Sequence, residues 1–199
     1  TRAGIGAAYY VKISPTELAR FELTFSAWRG VIYQIDADGV GWKLSPDLQR
    51  CETDMVGTAK NGFRAFSSKV TTGTDDTAKM QILVDWAIYE RIPTPYVSNG
   101  RHLCSELNLG YGGNNYPLSI EKGDGATATN FTQIGLEGTS GAGCFAPWSG
   151  GTPGAILIST DATRPCISVQ AGRNVRIKGL SLYGLLNEWI ISNKLGIGE

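Results

Sequence analysis

The chain has 199 residues, 42 % of them apolar and only 18 % charged, and its 18 basic and 18 acidic side chains cancel to a formal charge of zero. That apolar share can build a core, which excludes disorder, and without a basic surplus neither nucleic acid nor an anionic membrane is an expected partner. The longest apolar runs, such as Ala155-Ile156-Leu157-Ile158, fall far short of the roughly 20 residues that cross a bilayer, so no membrane insertion is expected. Low charge, 26 glycines without a collagen period and many short apolar runs point to an all-β chain with tight turns.

Residues 1–70 read as a small, mostly β module. Pro15 to Arg20 opens a short helix. Phe21-Glu22-Leu23-Thr24-Phe25 alternates like a half-buried strand. Val31 to Ile35 and Gly41 to Leu44 are two further short strands, separated by the turn signal Asp36-Ala37-Asp38-Gly39. The stretch from Asp47 to Val70 has weak periodicity and reads as a connector.

The pattern changes at Thr71. A polar turn, Thr71 to Thr77, leads into a helix placed at about 75–91, with Ala78 to Arg91 its most regular part. Ile82, Leu83, Trp86 and Tyr89 or Glu90 fall near one face. Thr74 or Asp75 is the expected N-cap, and Asp75 and Asp76 sit at the positive end of the helix dipole. Pro93 and Pro95 stop the helix. Beyond Tyr96, strands are expected near 102–108, 117–121, 132–136, 155–159, 166–170, 174–178, 180–183 and 188–192. In the run Cys166 to Gly184, apolar residues alternate with a small kink at each glycine. A strand turning the corner between two faces of a solenoid gives this pattern.

Few residues carry chemistry. The adjacent carboxylates of Asp75 and Asp76 suit a helix start better than acid–base work. The single histidine, His102, has no Ser or Cys partner nearby in sequence and reads as structural. Cys51, Cys104, Cys144 and Cys166 are too far apart for a zinc site; a disulfide framework is open but unforced, and buried free thiols are the simplest reading. Gly112-Gly113-Asn114-Asn115 lacks the Lys-Ser or Lys-Thr and helix of a phosphate loop. Trp28, Trp42, Trp86, Trp148 and Trp189 have rings that stack on sugars. Trp86 belongs to the helix core, and Trp148, in the loop Ala146 to Gly151, is the candidate ligand contact. Glu106, Glu121, Asp124, Glu137, Asp161, Glu188 and Glu199 contain no pair at strand spacing. No catalytic set, metal ligand or cofactor is therefore assigned.

Gly73-Thr74-Asp75-Asp76-Thr77-Ala78 followed by Met80-Gln81-Ile82 resembles the "DGxTDDTxAIQ" segment that opens the first coil of pectate-lyase-like β-helices. Tyr96 to Leu103 is similar to that family's next strand, with Ser98-Asn99 in place of its usual proline. Phe131 to Gly138 looks like its "T-x-I-x-G-x-G" rung, and Asn174 to Leu182 like its "NVxIxGLxL" rung. The resemblance covers about residues 70–192. It implies an all-β fold: a small N-terminal β-rich adaptor module (1–70), a capping α-helix, then the first coils of a right-handed parallel β-helix (71–199). A front module before such a helix resembles bacteriophage tailspikes and tail fibres. There the adaptor attaches to a tail or portal-proximal protein of the virion, the β-helix reaches host surface polysaccharide, and the spike is a homotrimer assembled in the host cytoplasm.

That resemblance leaves three functions open. The first is a structural anchor for host attachment, with any polysaccharide depolymerase groove in later coils. The second is a secreted bacterial polysaccharide lyase or glycoside hydrolase, and the third a surface adhesin with a β-helix stalk. Glu188 to Ser192 reads as an inner rung and Lys194 to Glu199 is no cap, so the natural polypeptide is expected to continue beyond Glu199.

Overall fold

In the computed structural model, residues 9–45, 51–59, 73–90, 92, 94–110, 135–138, 154–161, 163–170, 175–183 and 191–194 are described. The described part is mostly β-strand, in one antiparallel and three parallel sheets, with two α-helices.

Ser14 is extended, and its hydroxyl accepts the Glu17 N–H at 3.1 Å. Pro15 takes the first helical position, where its missing N–H costs nothing. Helix α1 runs Pro15–Thr24. The strand expected over 21–25 is therefore corrected to helix. Phe21 and Phe25 satisfy both an alternating and an i,i+4 pattern, and the cap with its proline selects the helix. Their rings meet edge-on at 6.0 Å. After a 3₁₀ turn at Ser26–Trp28, strands β2 (Tyr33–Ile35) and β3 (Gly41–Ser45) form an antiparallel hairpin. Asp36 makes the expected turn, its Oδ1 accepting the N–H groups of Asp38 and Val40 at 3.0 and 2.8 Å. Strand β1 (Tyr9–Lys12), which the sequence pattern did not announce, pairs antiparallel with the other side of β3.

Helix α2 spans Thr77–Tyr89. One apolar face was expected, but every residue from Met80 to Tyr89 is buried. The reason is that α2 lies between two cores. Ile82, Leu83, Trp86, Ala87 and Tyr89 pack with Phe21, Phe25, Trp28, Ile32, Tyr33 and Leu44. Met80, Val84 and Ile88 pack instead with the strands that follow. Tyr89 makes edge contacts with Phe21, Phe25 and Trp28 at 5.2, 5.8 and 5.7 Å. Lys43 of β3 bonds Glu17 of α1 and Glu90 at the end of α2, each at 2.9 Å.

Among the described residues nine strands follow α2: β4 (Tyr96–Val97), β5 (Gly100–Cys104), β6 (Leu107–Gly110), β7 (Gly135–Gly138), β8 (Ala155–Ser159), β9 (Ile167–Gln170), β10 (Arg176–Lys178), β11 (Leu180–Tyr183) and β12 (Ile191–Lys194). The single strand expected at 102–108 is two, broken at Ser105-Glu106. The strand expected at 117–121 lies outside the described residues. The sheets run β10-β7-β4, β11-β8-β5 and β12-β9-β6, all pairings parallel. Each consecutive set of three strands thus gives one strand to each sheet.

Equivalent side chains stack in rows. His102, Leu157 and Leu182 share a register position, as do Leu107 with Ile167, Leu109 with Val169 and Leu136 with Ile177. The apolar members of these rows form one core together with Cys104, Ala155 and Cys166. Between β10 and β11 the chain turns at Gly179, whose φ of 65° suits glycine. The Gly179 carbonyl packs so closely on Gly138 that a Cβ there would lie 2.0 Å from its oxygen.

Candidate functional site

β4, β5 and β6 are the edge strands at one end of their sheets. An open edge presents unpaired N–H and C=O groups that template further strands. The segments that precede these strands close all three. At β4, Tyr96 N donates to Cys51 O at 2.8 Å and Thr53 N donates to Tyr96 O at 3.0 Å. At β5, Asp75 forms a parallel bridge to Leu103, and Asp76 N donates to Leu103 O at 2.8 Å. At β6 a side chain does the work of a strand. Gln81 Oε1 accepts Asn108 N at 2.9 Å, and Gln81 Nε2 donates to Asn108 O at 3.2 Å. A primary amide carries the same donor and acceptor as a peptide group, so it pairs both backbone positions of Asn108. Its second N–H reaches Asp85 Oδ1 at 3.0 Å.

The two adjacent aspartates part company here. Asp75 is exposed. Its Oδ1 accepts the Thr77 N–H at 2.8 Å and also the Thr77 hydroxyl, so it serves the first turn of α2 from the residue before the cap; the N-cap expected at Thr74 or Asp75 is corrected to Asp76. Its Oδ2 accepts from Thr160 at 3.3 Å. Asp76 occupies the formal cap position but its side chain does not cap. Asp76 is 0 % exposed, its Oδ1 accepts the Ala59 N–H at 2.6 Å, and its Oδ2 lies 3.5 Å from His102 Nδ1. His102 is also 0 % exposed, with Nε2 3.0 Å from Ser98 O. A carbonyl only accepts, so Nε2 carries a hydrogen. The imidazole thus bridges the β4–β5 loop and, at ion-pair distance, the start of α2. Neither group reaches solvent, so the pair cannot act on a polymeric substrate.

The half-buried carboxylates do converge across strand sets. Glu106 and Asp161 meet the same guanidinium, Arg164, at 3.8 and 3.5 Å. Hydrogen bonds from the Thr163 hydroxyl and N–H, with help from Arg164, hold the Asp161 carboxyl below its ordinary range. A glycosidase acid needs the opposite, a carboxyl kept protonated near neutral pH. Asp161 is therefore an ion-pair partner and not a proton donor. Glu137 is likewise engaged, by Lys178 at 3.1 Å.

Two of the three tryptophans in the described part offer no sugar-stacking face. Trp28 and Trp86 are fully buried, and Trp42 donates its indole N–H to Asp36 at 2.8 Å. Trp148, Trp189, Cys144, Glu121, Asp124, Glu188, Glu199 and the segment 112–115 lie outside the described residues. Cys51, Cys104 and Cys166 are buried free thiols. Among the described residues no cluster of three or more His, Cys, Asp or Glu is arranged to hold a metal ion, and no helix is long and apolar enough to cross a membrane.

Sequence reasoning placed Gln81 only within the motif that resembles the first coil and missed its pairing with Asn108, and it missed the Asp76–His102 contact. A glutamine inside the apolar run Met80 to Val84 was a usable signal, because a buried amide requires partners. The histidine contact had none, since it joins residues whose proximity depends on sheet register. No protein-family model, curated protein or solved structure matches the chain.

Proposed function

We propose that the chain is the amino-terminal part of a bacteriophage tailspike or tail fibre, built on a right-handed parallel β-helix. In this reading residues 1–70 attach the spike to a tail or portal-proximal protein of the virion. Residues 71–199 start the helix that carries host-polysaccharide recognition, and the spike is a homotrimer. The supporting observation is the strand bookkeeping: strands taken three at a time feed three parallel sheets in constant order. A β-helix has this connectivity, because each coil adds one strand per face and stacks its inner side chains on the coil before. The closure of β4, β5 and β6 by residues 51–53, 75–76 and Gln81 fits the first coil of such a helix, where an edge needs cover.

An anchoring role suits the buried polar latches that the described residues carry at the start of the parallel sheets. The test is immuno-electron microscopy of particles from the source, with antibody raised against this chain. Label confined to the particle tail is expected. Chain recovered only from the particle-free secreted fraction would favour the lyase or hydrolase reading instead.

A further inference from the structure

Cys104, at the end of β5, and Cys166, just before β9, bring their sulfurs to 3.4 Å inside the core, with neither residue exposed. The backbones run close here as well: Cys104 O accepts from Thr160 N, and Cys166 O from Leu107 N, each at 2.9 Å. Cys104 belongs to the β11-β8-β5 sheet and Cys166 leads into β9 of the neighbouring β12-β9-β6 sheet, so the two sulfurs meet across the corner between these sheets. Both side chains therefore point into one core from neighbouring strand sets at bonding reach.

We infer that Cys104 and Cys166 form a disulfide acceptor pair, a site of oxidative cross-linking that clamps the first strand set to the second. The oxidant is a small disulfide such as oxidised glutathione. One thiolate of the pair attacks a glutathione sulfur and releases one glutathione thiolate. The second thiolate attacks the mixed disulfide, forms the Cys104–Cys166 bond and releases the other. Two electrons pass to the glutathione disulfide, and the two cysteine protons end on the two glutathione thiols.

In the folded chain both cysteines are buried, so glutathione has no access to either sulfur. The sulfur contact with Cys166 and burial both push the Cys104 thiol up from its ordinary range, and a thiol is not the attacking species. Closure thus belongs to folding, before the core is sealed. The two cysteines are 62 positions apart, so the clamp removes a long loop from the unfolded ensemble. The inference stands on this contact alone and survives failure of the tailspike reading.

The purified chain is unfolded in denaturant and refolded in a glutathione redox buffer, with a parallel sample in excess reductant. Remaining thiols are alkylated, and the chain is digested after Lys and Arg and before Asp. The cut before Asp161 separates Cys144 from Cys166. The expected product is one linked peptide pair joining Cys104 to Cys166, with Cys51 alkylated. The oxidised chain should melt on the order of 10 °C above the reduced one. Alkylation of both Cys104 and Cys166 at equilibrium, or links scattered evenly over the four cysteines, would overturn the inference. If refolding yields are poor, oxidised glutathione added to the native chain near its melting midpoint, with the same mapping, decides it equally.

Discussion

His102 Nδ1 lies 3.5 Å from Asp76 Oδ2 with both side chains fully buried, which ties strand β5 to the first residue before helix α2. Asp76 also holds the Ala59 N–H, so one carboxylate joins three stretches of chain. Removing the carboxylate breaks its hydrogen bond with the Ala59 N–H, so Asp76→Ala should destabilise the chain by about 1–3 kcal/mol in urea unfolding. A double-mutant cycle with His102→Leu should show strong non-additivity. Additive losses would mean that the two side chains do not interact.

Gln81 acts as a substitute strand on β6. Gln81→Leu keeps the volume and the helix propensity but strands the N–H and C=O of Asn108. The expected loss is about 2–3 kcal/mol, the cost of orphaned buried polar groups. Hydrogen exchange should locate it: the amide of Asn108 should lose protection while the β2–β3 hairpin keeps its own. Unchanged protection at Asn108 would contradict this role.

The charged junction between the front module and α2 predicts a pH dependence. Burial lowers the Lys43 pKa, but the hydrogen bonds to Glu17 and Glu90 outweigh it, and the ammonium is held above its ordinary value. Tyr89 is raised too, first by burial and then by its hydrogen bond to Glu17. In both cases the folded state holds its proton more tightly than the unfolded state. The stabilisation is then complete below the unfolded values, about 10 for tyrosine and 10.4 for lysine, and declines as pH rises above them. Urea midpoints should be flat from pH 7 to 9 and fall beyond 10. The Lys43→Met, Tyr89→Phe double variant should show a shallower fall. An identical fall in variant and parent would place the alkaline sensitivity elsewhere.

Gly138 has no room for a side chain beneath the Gly179 carbonyl. Gly138→Ala should cost roughly 1–3 kcal/mol through overpacking. Gly179→Ala should cost about 1–2 kcal/mol for a different reason, its positive φ. Crystal structures of the two variants would separate the cases. A displaced β10–β11 corner is expected in the first and an unshifted one in the second.

The sequence showed period more clearly than place. The hairpin around Asp36, the helix after Asp75 and the short strands at 155–159 and 180–183 were all legible, because each rests on local chemistry: a turn carboxylate, a cap, an alternating run. Phe21 to Phe25 was misread, since two aromatics four apart fit either period and only Ser14 with Pro15 resolves them. The full burial of α2 was not legible either. Its second contact face, Met80, Val84 and Ile88, acquires meaning only when the parallel strands close against it. The candidate contact Trp148 falls outside the described residues, so the site reading rests on Asp76, Gln81 and His102.

The proposal that this chain anchors a trimeric β-helix spike is tested most directly by a cryo-EM reconstruction of the source particle. The account predicts three copies around one axis, with residues 1–70 seated on a tail or portal-proximal protein and the parallel sheets stacked along the spike. A lone copy free of any particle, with two carboxylates from neighbouring strand sets facing an open groove, would contradict it.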